Sequence, residues 1–284
     1  MWLMLLLSLL QLINGYNYCN NDSHYCNVND MKHFICNIDS ELRPLNGRAH
    51  FVGLVPDTLT LRNTILANLN SNRNKLAGGS LVTNSNKTFK PASRMRLLIW
   101  DQELAYTARL HASTVSFKHS ICRSVFRFPY AGECLGLVFA STSRRRVSDV
   151  LDLTLQSMFD EYLEAENPDE LIKGFDANKH YNVGHFSVIV SDRVSRVGCA
   201  LVAATDCEKE KKKGYCHFVT CHFDFTNLAN SYVYKTGDSA SRCNTWKTLP
   251  SDEYSNLCTN NGEIFSETHG DMRDRSHRGR IVRY

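Results

Sequence analysis

The sequence predicts a disulfide-stapled α+β domain, and three observations carry that prediction. Two long stretches place apolar residues at helical spacing. Four short apolar runs bounded by turn residues read as strands. Eleven cysteines are spread along a chain that opens on an almost wholly apolar segment.

The elements follow in order. Met1 to Gly15 carries no charged side chain and holds a Leu-rich run from Leu3 to Leu12, too short to span a bilayer, with a small residue just before a polar segment. It reads as a signal peptide, residues 1–15, cleaved near Gly15. Residues 16–56 read as an irregular, cysteine-stapled leader. Asp57 or Thr58 caps a helix that runs to Ala77 and stops at Gly78-Gly79. Asn84 to Thr88 is a polar loop. Trp100, Leu104, Ala105, Ala108, Ala112 and Val115 share a helical face, which predicts a second helix from Trp100 to Phe117.

Cys134 to Ala140 predicts a buried strand. Val147 to Glu166 predicts a third helix, with Val150, Leu151, Leu155, Met158, Phe159 and Tyr162 on one side and Pro168 ending it. His185–Val190, Arg196–Ala204 and Tyr215–Phe223 predict three strands. The polar turn Glu208 to Gly214 joins the last two, and its lysine run reads as a solvated hairpin tip. Residues 57–230 thus form the main domain and 231–262 a C-terminal disulfide loop around Cys243 and Cys258. Residues 263–284 make a basic tail, and the five Arg and two His from Glu267 onward, without apolar periodicity, predict disorder.

The net charge of +4, with 22% charged residues, excludes a strongly basic nucleic-acid binder. No second stretch is long and apolar enough to anchor the chain in a membrane. The cysteines, behind a signal peptide and without any CxxC pair, argue for disulfides made in an oxidising compartment rather than a thiolate metal cluster. Their odd number leaves at least one thiol unpaired or intermolecular. Sequons at Asn21 and Asn86 fit a secreted glycoprotein.

Several motifs then resemble one family. Gly184-His185-Phe186-Ser187-Val188-Ile189-Val190 looks like its first signature. Cys221-His222-Phe223-Asp224-Phe225-Thr226-Asn227 looks like an altered second signature, which usually reads Cys-Asn-Tyr. Arg196-Val197-Gly198-Cys199-Ala200 matches the strand before the hairpin. Phe89 to Met95, Trp100 to Ala105, the Arg73 to Gly79 helix end and Gln156 to Tyr162 are similar to the insect antigen-five branch. The chain is thereby identified, over residues 16 to 262, as resembling the cysteine-rich secretory, antigen-five and pathogenesis-related (CAP) superfamily.

The resemblance implies a three-layer α/β/α sandwich with a mainly antiparallel central sheet. It implies the pairs Cys19–Cys36, Cys26–Cys122 and Cys199–Cys221. Cys207 with Cys216, flanking the lysine-rich turn, and Cys243 with Cys258 complete the set, which leaves Cys134 buried and free. The family cavity of two His and two Glu maps onto His119, Glu133, Glu161 and His185, one from each of four separate elements. All four are expected to border one cavity.

Two imidazoles facing two carboxylates can bind a divalent cation, with zinc favoured by imidazole, can act as an acid/base pair, or can form a hydrogen-bonded network that holds the site together. No cofactor is required, and zinc held weakly by the tetrad is the expected metal. No Gly-x-Ser-x-Gly elbow and no His-Glu-x-x-His helix occurs. Ser187 is a candidate nucleophile on the His185 side of its strand, although packing is the commoner role for such a serine. His111, His180, His217 and His222 read as surface or core residues. Met158 and Leu69 stand where the family usually has Trp and His.

The expected function is that of a monomeric, secreted, non-enzymatic extracellular protein that binds or signals through a protein, a small molecule or a lipid. The alternatives are a metal-dependent hydrolase using the tetrad and an extracellular sterol or lipid carrier.

Overall fold

A computed structural model describes residues 17–20 and 25–265. The signal segment, Asn21 and the basic tail beyond residue 265 lie outside the described residues. Two single-turn helices, Tyr25–Val28 and Ile38–Glu41, open the described chain. Then follow β1 (His50–Leu54), α1 (Leu59–Ala77), β2 (Ile99–Trp100), α2 (Gln102–Ser113), β3 (Gly132–Ala140), α3 (Val147–Asp160), α4 (Pro168–Lys173), α5 (Gly184–Ile189), β4 (Arg196–Lys209) and β5 (Lys212–Phe223).

The strands form one sheet in the order β1-β4-β5-β3, antiparallel throughout, with β2 lying parallel beside the start of β4. Side chains alternate across it. Val197, Cys199 and Leu201 on β4 join a large core shared with α1, α3 and α5, whereas Ala200, Val202 and Ala204 join a second core with Ala108 and Ala112 of α2. Helices therefore cover both faces, and the three-layer α+β sandwich is the architecture. On β4, Gly198 permits a close approach between layers. A Cβ there would lie 2.0 Å from the Ala105 nitrogen in the α2 backbone.

Local chemistry explains the helix starts. The Thr58 hydroxyl accepts from the Leu61 amide at 3.2 Å, and Asp101 Oδ1 accepts from Glu103 and Leu104 at 3.0 and 3.2 Å. The second helix ends at Ser113, short of the expected Phe117, because Val115 turns to φ 50°. The third helix also ends early, at Asp160, and passes into a 3-10 turn, Glu161–Glu164. Pro168 does not terminate that helix. It starts the next one at the first helical position, where its missing N–H costs nothing.

Two further expectations are corrected. The leader is not wholly irregular, since β1 forms an edge of the sheet. His185–Val190 is not a strand. Gly184–Ile189 is a single buried helix, α5, and an apolar run this short carries no period that separates helix from strand. Ser187 consequently does not share a strand face with His185. Its hydroxyl, fully buried, donates to the Val183 carbonyl at 2.6 Å.

The end of α5 is held by Arg73 of α1. Its buried guanidinium donates to the carbonyls of Ile189 (2.6 Å), Ser191 (2.9 Å), Val194 (3.1 Å) and Arg96 (2.7 Å). Burial pushes its pKa down to about 9, so it remains a cation at neutral pH.

Five disulfides close, at Cys19–Cys36, Cys26–Cys122, Cys199–Cys221, Cys207–Cys216 and Cys243–Cys258. Cys134 is a buried thiol, directly across from Cys221 in the sheet register. Burial raises its pKa well above the ordinary thiol value, which keeps it protonated and inert. Asn86 sits exposed at a loop tip with φ 57°.

Candidate functional site

Glu133 is the centre of the site. It stands on β3 opposite His222 on β5, in the layer of α2, with its side chain fully buried. Four hydrogen bonds reach its carboxylate. His119 Nδ1 (2.8 Å) and the Ser120 amide (3.0 Å) meet Oε1. The Ser120 hydroxyl (3.0 Å) and His222 Nε2 (3.0 Å) meet Oε2. Arg123 and His111 each approach to 3.5 Å. Burial by itself would raise this carboxyl's pKa. Arg123, His111, and the hydrogen bonds from His119 and His222 outweigh that and hold it well below the usual carboxylate range. Glu133 is therefore an anion sealed inside a ring of donors.

The second pair is shallower. Glu161, in the 3-10 turn after α3, accepts from His185 Nδ1 at 2.5 Å and from the Phe186 amide at 3.0 Å. The second bond satisfies one of the orphan donors at the start of α5, so the same carboxylate caps the helix and orients its histidine. His119, His185 and Glu161 are between a fifth and a third exposed. The two imidazole rings lie 6.4 Å apart, tilted by 37°.

The four residues therefore meet as two imidazole–carboxylate pairs. Each imidazole meets its carboxylate through Nδ1. Nε2 of His119 and of His185 could take a metal, with the carboxylates behind them as orienting groups, the arrangement common to metal-binding histidines. Both carboxylates are engaged here as hydrogen-bond acceptors. Glu133 in particular has both oxygens turned to donors and no exposure. Among the described residues no three His, Cys, Asp or Glu side chains are placed to share one ion.

Two clefts lie elsewhere on the molecule. One cleft of about 380 Å³ is lined by Glu164, Glu166, Glu170, His180 and neighbours. Another of about 570 Å³ lies between α1, the residues before β2 and the C-terminal loop. Neither is lined by the tetrad.

Two histidines set aside as surface or core residues belong to the site. His222 bridges Thr107 Oγ1 (2.8 Å) and Glu133 (3.0 Å), and burial lowers its pKa to about 4, so it is neutral at physiological pH. His111 Nε2 meets the Lys118 carbonyl at 3.0 Å. Signals for both were present. His111 falls on the apolar stripe of α2, seven residues after Leu104, and His222 replaces the expected Asn of the second signature.

Fold and site together define a disulfide-stapled α/β/α domain with a paired imidazole–carboxylate site. Residues 66–223 match the model of the Cysteine-rich secretory protein family, designated CAP, and the chain belongs to that family. It is similar to Venom allergen-1 of Aedes albopictus, 26% identical over 89% of this chain and 91% of that one. It is also similar to Tablysin 15 of Tabanus yao, 30% identical over 69% and 71%, and to the Antigen 5 like allergen Cul n 1 of Culicoides nubeculosus, 28% identical over 70% and 89%. Among solved structures, the crystal structure of NaASP2 with Zn2+ shares the fold with a TM-score of 0.57 and 22% identity, covering 72% of this chain and 98% of that one.

Proposed function

We propose that this chain is a secreted, non-enzymatic binding protein whose His119 and His185 take a divalent cation, zinc foremost, at low affinity. The observation that carries this reading is the commitment of both carboxylates to hydrogen bonds. A hydrolytic zinc site needs a carboxylate or imidazole poised over the metal-bound water as a base. Here Glu133 is sealed and Glu161 is engaged by His185 and by the start of α5. The Ser187 hydroxyl is taken up by a backbone carbonyl, so it is no nucleophile. Two imidazoles are fewer ligands than a catalytic or structural zinc site uses, which implies weak binding completed by water or by donors of a partner. Zinc, when bound, would supply Lewis acidity or a bridge to such a partner. The crystal structure of NaASP2, which shares the fold, is a structure with Zn2+, and that supports the choice of metal. The five disulfides, and the resemblance to venom allergens, support an extracellular setting. Among the described residues no helix is long and apolar enough to cross a membrane.

Calorimetry with zinc tests the reading. Wild type should bind weakly, and His119→Gln with His185→Gln should abolish binding while the fold stays intact. Zinc binding unchanged in the double variant, or peptidase turnover that chelation removes, would refute it.

A further inference from the structure

The far end of the β4–β5 hairpin gathers charge from two parts of the chain. Within the hairpin, Lys209 faces Lys212 and Glu208 faces Lys213 across the ladder, while Glu210 and Lys211 turn the chain with φ of 52° and 65°. The segment after β3 runs to the same place. Ala140 pairs with Tyr215, and a Cβ on Gly214 would lie 2.4 Å from the Ala140 carbonyl and 2.9 Å from Ser141 Cα. A few residues on, the Arg145 amide donates to His217 Nε2 at 3.2 Å. Burial is the larger cause of the lowered His217 pKa, and the charges of Arg145 and Arg144 add to it. The arginine run thus flanks the lysine hairpin. The run of lysines that looked like an ordinary solvated tip is half of a larger array.

The carboxylates nearby do little to neutralise that array. Glu208 is paired with Arg48 at 3.3 Å and Asp149 with Arg146 at 3.0 Å. Among the described residues, Lys209, Lys211, Lys212, Lys213, Arg144 and Arg145 form no ion pair, and all six are exposed. Counting the paired groups, eight cations stand against Asp149, Asp206, Glu208 and Glu210. This end of the sheet thus carries a local surplus of four positive charges.

We propose that this basic end binds a sulfated linear polysaccharide. Strand geometry sets the cations about 5 Å apart between strands and roughly 7 Å apart along one, a spaced row that suits a chain carrying repeated anions. A lipid surface fits less well. The only large apolar side chain exposed in segments 141–147 and 208–214 is Val147, so the patch has no wedge to insert between lipids. Binding driven by such a row releases counterions and weakens steeply with salt. The proposal is independent of the histidine site.

The test uses the full chain on immobilised heparin. Wild type should bind, and its affinity should fall by roughly a hundredfold between 50 and 200 mM salt if four or five cations are engaged. The variant Lys211→Glu, Lys212→Glu, Arg144→Glu, Arg145→Glu should lose at least a hundredfold at low salt. A second variant, with the five arginines from Arg273 to Arg283 changed to Gln, should keep most of the binding. Fully desulfated heparin should not bind. Retained binding in the first variant, loss in the second variant only, or equal binding to desulfated heparin would each overturn the proposal. So would vesicles with anionic lipid that bind as tightly as heparin with the same dependence on the four residues.

Discussion

His222 makes acid sensitivity a quantitative prediction. Its imidazole is fully buried between Thr107 and Glu133, and its pKa falls from 6.5 to about 4. In the unfolded chain it would titrate at the ordinary value. Below pH 6.5 the unfolded state therefore binds a proton that the folded state refuses, and stability falls as pH drops. Between pH 7.5 and pH 5 the linkage amounts to about 2 kcal/mol, growing towards about 3 kcal/mol by pH 4. Glu133 acts in the same direction but in a lower window. Its pKa is depressed, so its contribution is present above 4.5 and is lost only below that. His222→Gln keeps a donor towards Glu133 and removes the titration. Urea unfolding with the disulfides intact, at half-unit steps from pH 7.5 to 5, gives the two curves. The wild-type curve should fall by about 2 kcal/mol more than that of the variant. His111, Thr107, Glu133 and Arg123 face His222 from the neighbouring elements, and Glu133, whose window lies below pH 4.5, stays ionised across the range compared. Parallel curves would refute the argument.

Three other outcomes follow from the same structure. Glu161→Gln should leave the fold intact and weaken zinc binding by about tenfold, because it loosens the orientation of His185 without removing a ligand; calorimetry reads this directly. Gly198→Ala should destabilise by more than about 3 kcal/mol, visible in the unfolding midpoint, since the methyl would meet the α2 backbone, which cannot step aside like a side chain. Cys134 should resist alkylation until the protein is unfolded, and peptide mapping should find it reduced. Cys134→Ala should cost about 1 kcal/mol and Cys134→Ser more, because a hydroxyl would be buried where a small apolar group belongs.

The sequence by itself determined the class of fold. A cap and a Gly-Gly stop located α1, amphipathic stripes located α2 and α3, and apolar runs located β3, β4 and β5. The residue types of the two imidazole–carboxylate pairs were legible from motifs. Tertiary structure alone decided four matters. The run from Gly184 to Ile189 is buried at every position but His185, so its short pattern shows no period, and only the Glu161 cap and the Arg73 clamp at its far end make it a helix. β1 is exposed over most of its length, and only pairing with β4 makes it a strand. The roles of Glu133 and Glu161 depend on which oxygen meets which nitrogen, a matter of distances near 3 Å that no spacing along the chain encodes. Finally, Arg144 and Arg145 lie some seventy residues from the lysine hairpin in sequence, and only the register of β3 against β5 brings the two charges to one surface. Local preference is written in neighbouring residues, whereas long-range electrostatics and hydrogen bonding exist only once the sheet has closed.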